Sequence, residues 1–105
     1  MDQITITLEQ FRAVMLAAGY DEVMERKWSA NTVVSQHPHP FEANALVVDG
    51  EMWLTIEDGA PRRLVAGDTF HLDAGVPHAE RYSESGAVYW VGRRARSLRN
   101  SVGHW

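Results

Sequence analysis

The sequence predicts an all-β barrel or sandwich with a short helix at its N-terminal end. Helical spacing of apolar residues is confined to the first twenty positions. After Tyr20 the chain falls into short extended runs separated by turn pairs such as Asp49-Gly50, Asp58-Gly59 and Gly67-Asp68. The length, 105 residues, and the apolar share, 45%, suit one domain with a modest core.

The helix is expected to start at Thr7, which can cap it while Gln10 bonds back to the cap. Leu8, Phe11, Met15 and Ala18 then form a stripe at helical spacing, and Gly19 stops it. Strands follow at Val23 to Trp28, Thr32 to His39 and Ala43 to Val48. Asp49-Gly50 reads as a tight hairpin turn into Glu51 to Ile56. Arg62 to Val65, Thr69 to Leu72 and His78 to Tyr82 are the next strands; Ser83 to Gly86 reads as a loop and Ala87 to Val91 as the last strand. The expected organisation is a helical segment over 1–20 packed on a barrel over 21–92, with a basic tail over 93–105.

The run Ala45-Leu46-Val47-Val48 is apolar on both faces, whereas a strand with one wet face alternates. Something must cover the second face. The candidates are the N-terminal helix and a second copy of the chain, with Trp28, Trp53 or Trp90 at the contact; a homodimer is the expectation.

Composition excludes several chemistries. With no cysteine there are no disulfides, thiolate nucleophiles or cysteine-ligated metals, so any metal must sit on histidine and carboxylate. A net charge of -4 argues against nucleic acid as a partner, and Arg93, Arg94, Arg96 and Arg99 read as a solvated basic cluster. No apolar run is long enough to span a membrane. The N-terminus shows no basic-then-apolar signal pattern, which makes the cytoplasm the expected location.

The chemistry concentrates in two stretches. In His37-Pro38-His39-Pro40 the two histidines, one residue apart, share a side if the backbone is extended, and the prolines bias it that way. Further on, Gly67-Asp68 and Gly75-Val76-Pro77-His78 deliver a third histidine at a strand start, with Asp68 read as a turn residue bonding neighbouring amides. If His78 faces the interior, Glu80 and Tyr82 face it too. Glu80 then serves as an oxygen ligand or a general base, and Tyr82 orients or protonates a substrate. His71 is expected to point away, and neither His71 nor His104 is given a role.

These stretches, in this order, resemble the two motifs of the cupins: His37-Pro38-His39 with Gly50 matches the first, and Gly67-Asp68 with Gly75-Val76-Pro77-His78 the second. The resemblance spans roughly residues 30 to 92. It implies a jelly-roll barrel, a double-stranded β-helix, and a metal held on His37, His39 and His78. The sequence departs from the pattern where the family places a metal-binding glutamate. Ala43 stands there, and Glu42 lies one residue earlier, which reaches the site only if the Pro40-Phe41 segment is turning or bulged. Glu42, Glu80 or water is therefore left to complete the shell.

Three imidazoles suit one divalent transition metal: zinc, iron, nickel, manganese or copper. Open coordination positions suit a small oxygen-rich molecule, with Phe41, Trp53, Phe70 and Trp90 as apolar surroundings. The expected function is metal-dependent oxygenase, isomerase or lyase chemistry on such a molecule. The alternative is a non-catalytic barrel that binds or senses a small ligand, with or without metal.

Overall fold

In the computed structural model, which describes residues 5–95, one helix precedes six strands. Helix α1 (Leu8–Ala17) begins as expected. The Thr7 side chain accepts from the Gln10 N–H and the Gln10 side chain accepts from the Thr7 N–H, satisfying two donors that helix geometry leaves orphaned. Ala18 caps the other end and Gly19 follows. Phe11 and Met15 form the buried face, and with Tyr20 and Val23 they pack against Leu46 and Trp90. The helix therefore covers the outer face of the 45–48 run at Leu46.

The strands are β1 (Glu22–Trp28), β2 (Val33–His37), β3 (Phe41–Ile56), β4 (Arg62–Val65), β5 (Thr69–Leu72) and β6 (His78–Ala95). The expected hairpin at Asp49-Gly50 is absent, because β3 runs straight through it. The expected loop at Ser83 to Gly86 likewise lies within β6. The two long strands pair antiparallel along their whole length, Phe41 opposite Ala95 and Ile56 opposite His78. The register shifts between Val47 and Asp49 and again between Gly50 and Met52. Gly50 and Gly86 both have positive φ, 82° and 69°, and a Cβ on Gly50 would overlap the Gly86 carbonyl. A glycine that tolerates positive φ serves a bulge as readily as a turn, and here it lets both strands bend together.

The bend divides the sheet into two four-stranded halves, β5-β3-β6-β1 and β4-β3-β6-β2. They fold over each other as a double-stranded β-helix. Ala45, Val47, Phe70 and Val91 from one half meet Met52, Leu54, Leu64 and Tyr82 from the other in a single core. Asp68 accepts from the Val65 N–H at 2.9 Å, holding the turn between β4 and β5.

Arg93 and Arg94, expected in the tail, belong to β6, where residues 41–43 of β3 give them a pairing edge. Arg96, Arg99 and His104 lie outside the described residues. Among the described residues, no helix is long and apolar enough to cross a membrane.

Candidate metal centre

Pairing of β2 with β6 sets His37 directly opposite His78. His39 lies in the connection after β2, where its carbonyl accepts from the Gly75 N–H at 2.7 Å. This bond ties the His-Pro-His-Pro stretch to the turn that delivers His78. Ring nitrogens of His37, His39 and His78 lie within 4.8 Å of one another, so the structure brings the three together.

Two backbone carbonyls fix which nitrogens face inward. A carbonyl only accepts, so Nδ1–H of His37 donates to Ser35 O at 2.7 Å and Nδ1–H of His78 donates to Val76 O at 3.1 Å. Neutral His37 and His78 therefore both present a bare Nε2. His37 Nε2 stands 2.9 Å from His39 Nε2, close enough to share a proton or a cation. His78 Nε2 is buried and makes no well-formed hydrogen bond, the Glu80 carboxylate standing off at 3.5 Å. A buried imidazole nitrogen left unpaired is costly, and a divalent ion is a fitting partner for it. The donor set fits a first-row metal.

Burial lowers the pKa of His39, reinforced by repulsion from His78 and His37, which favours the neutral ring. Burial also pushes His78 down, but the Glu80 carboxylate, with Oε2 3.5 Å from Nε2, and the Val76 carbonyl outweigh it and leave the value raised. Burial pushes Glu80 up, yet His78 and Tyr82 hold it below the usual carboxylate range, so it stays ionised. Tyr82 donates to Glu80 Oε1; burial first, then Tyr89 and Glu80, raise its pKa so that the phenol keeps its proton.

The histidines open onto a cavity of about 170 Å³, lined also by Phe41, Ala43, Phe70, Glu80 and Tyr89, with Arg26, Trp28 and Arg93. This is small beside the roughly 300–1,000 Å³ of sites that take drug-sized ligands. Several expectations change here. Tyr82 is fully buried, stacked at 5.0 Å on Trp28, and lines no part of the cavity; it touches Glu80 instead. Trp53 and Trp90 face outward, against Arg81 and Glu25, and Trp28 takes their place.

Glu42 lies outside the histidine cluster. The register runs unbroken through Phe41↔Ala95, Glu42↔Arg94 and Ala43↔Arg93, so no bulge turns Glu42 inward. On the outer face Glu42 accepts from Arg94 at 2.7 Å, from His71 at 2.6 Å and from Tyr20 at 3.3 Å. His71 points away from the cavity, as expected, toward Glu42 and Asp73. Arg26, Tyr89 and Arg93 were not singled out from sequence as lining residues. The available signal was parity, because Arg93 is in phase with Tyr89 and Val91 on the inner face.

The chain matches the family model for the cupin domain over residues 26–92. It belongs to the cupin family. Among solved structures, this cupin resembles the DMSP lyase DddQ from Ruegeria pomeroyi DSS-3 at 30% identity and a TM-score of 0.60, covering 70% of this chain and 36% of that one. An RmlC-like cupin from Shewanella frigidimarina matches at 28% identity and 0.58, with 73% and 70% covered. KdgF from a Halomonas species matches at 24% and 0.63, with 71% and 68% covered, and shows the shared fold. The chain spans well under half the length of the lyase chains it resembles. No curated protein sequence matches it significantly.

Proposed function

We propose that this cupin holds one divalent transition metal on His37, His39 and His78 and acts on a small oxygen-rich molecule in the cavity beside them, by oxygenase, isomerase or lyase type chemistry. The observation that carries the reading is the convergence of three imidazole nitrogens on a cavity wall, one of them buried without a well-formed hydrogen bond. An ion bound there supplies a Lewis acid with positions open to substrate oxygens.

The chain's own groups divide the remaining work. Glu80 Oε1 is taken by the Tyr82 hydroxyl, which leaves Oε2, on the side of His78, to accept a proton from a substrate. Tyr82 positions that carboxylate and does not itself reach the cavity. Phe41, stacked at 4.6 Å on His39, and Phe70 keep the surroundings apolar, which strengthens electrostatic contacts inside.

Elemental analysis of protein purified without a histidine tag tests the metal. About one equivalent is expected in the wild type and almost none in the His37→Ala/His39→Ala variant, and equal content in both would remove the site. A thermal-shift screen of small oxygen-rich compounds, followed by product analysis, separates an enzyme from a non-catalytic binder. We further propose a homodimer. It is supported by the outer face of the β4-β3-β6-β2 half, where Val33, 70% exposed, lies in register with Arg81 and Trp53 while α1 packs on the other half. Sedimentation velocity tests it, a monomer at all concentrations being the contrary result.

A further inference from the structure

On the cavity wall the short side chain of Ala43 stands directly opposite Arg93 of β6. Both line the cavity. A side chain without charge therefore faces a cation across the strands.

Arg93 is incompletely satisfied. Its Nη2 donates at 3.0 Å to Glu22, whose side chain is about half exposed. Its guanidinium carbon lies 4.4 Å from the centre of the Phe41 ring, which holds the planar group in place. Its Nε is buried and has no hydrogen-bond partner. A guanidinium N–H withdrawn from water without an acceptor is costly, so Glu22 and the Phe41 ring leave this group incompletely satisfied.

A second cation stands on the same inner face. Arg26 is in phase with Trp28 on β1, lies 4.9 Å from the centre of the Trp28 ring, and lines the same cavity. Among the described residues no carboxylate forms an ion pair with it. The one acid in the lining is Glu80, already engaged by Tyr82 and adjacent to His78. The protein as a whole is acidic, at -4, yet the lining of this pocket carries two guanidiniums against one carboxylate.

We propose that the ligand of this cavity is a small organic carboxylate, bound by the Arg93 and Arg26 guanidiniums and occupying the space beside the short side chain of Ala43. A guanidinium presents its N–H groups in one plane, which matches the two coplanar oxygens of a carboxylate better than the tetrahedral oxygens of a phosphate. The cavity volume of about 170 Å³ restricts the ligand to a few carbons. The proposal rests on the reading that the cavity beside the three histidines is the ligand site, and it names the substrate class there.

Calorimetric titration with glycolate and malonate tests this on the full chain, with glycolamide and malonamide as uncharged counterparts and inorganic phosphate as the rival anion. Metal content is read in parallel by elemental analysis. Carboxylates are expected to bind tighter than their amides and than phosphate, and Arg93→Gln is expected to weaken carboxylate binding about tenfold or more with metal content unchanged. Arg81→Gln, whose cation lies over the outward-facing Trp53, is expected to bind as the wild type does. If Arg93→Gln does not fold, Arg93→Lys keeps a cation for Glu22 but lacks the planar guanidinium, and it is expected to weaken binding about threefold or more. Amides binding as tightly as acids, phosphate outcompeting both, or undiminished carboxylate binding in the folded Arg93 variant would overturn the proposal. Carboxylate binding by protein that holds no metal would instead overturn the metal reading and leave this one standing.

Discussion

Two neighbouring cross-strand pairs on β3 and β6 set the inside of this barrel against its outside. Outside, Glu42 faces Arg94; one step along, inside, Ala43 faces Arg93. The outer carboxylate is saturated, accepting from Arg94, His71 and Tyr20. Arg94 also donates to the Ala18 carbonyl at 3.3 Å and lies over the Tyr20 ring, so one ion pair ties α1, β3, β5 and β6 together. The inner pair has no carboxylate, and the arginine there keeps an unpaired N–H. Similar residues one position apart therefore sit differently: the outer pair is saturated and ties the fold together, and the inner arginine lines the cavity with one N–H unpaired.

The variant that breaks both faces at once is Gly50→Ala. The added Cβ meets the Gly86 carbonyl, and the residue must also adopt a φ of 82°. The backbone strain alone costs about 1–3 kcal/mol, and the overlap adds to it because backbone cannot move aside as a side chain can. Loss of soluble protein, or a large drop in melting temperature with metal content reduced, is expected. A wild-type melting curve would show that the paired bend is not needed.

The bend also marks the limit of what was legible in the sequence. Thr7 with Gln10 gave the helix start because a capping box is a local bond between residues three apart. The three histidines were legible as a group because proline and glycine constrain the backbone around each one. Asp49-Gly50 was not, since positive φ at glycine suits a hairpin turn and a bulge alike. Only the partner strand decides between them, and that partner, β6, lies some forty residues away. Arg93 and Arg94 read as tail for the same reason: charged residues continue a strand when a neighbour offers an edge, and no local signal announces it. Parity did forecast that Glu42 and Ala43 face opposite ways. Which of them faces the histidines depended on the unbroken register at Phe41.

Removing the outer arginine should leave the inner face working. Arg94→Met strips Glu42 of its strongest partner and is expected to destabilise the fold by about 1.5–3 kcal/mol, as for hydrogen bonds to charged groups, with metal content unchanged. The Arg94 guanidinium, helped by His71 and working against burial, holds the Glu42 carboxyl at about 2, below its ordinary value of 4.5. A depressed carboxyl contributes stability in full above its unfolded value and loses it as the pH falls through its folded one. Wild-type melting temperature should therefore fall more steeply than that of Glu42→Gln between pH 4.5 and about 2, the two curves converging at the acid end. Parallel curves would mean that the outer pair contributes little.

The smallest effect sharpens the division most. Thr7→Ala removes the hydroxyl that accepts from the Gln10 N–H, at the far end of α1 from the Arg94 contact. Cap losses of this kind cost about 0.5–2 kcal/mol, so a melting shift of a few degrees is expected. Helix α1 covers Leu46 and Trp90 on the outer face and contributes nothing to the cavity lining. Metal content and carboxylate affinity should therefore match the wild type. A fall in either, alongside so small a loss of stability, would mean that the helix is coupled to the inner site through β3 and β6, and the inside and outside of the barrel would have to be treated as one unit.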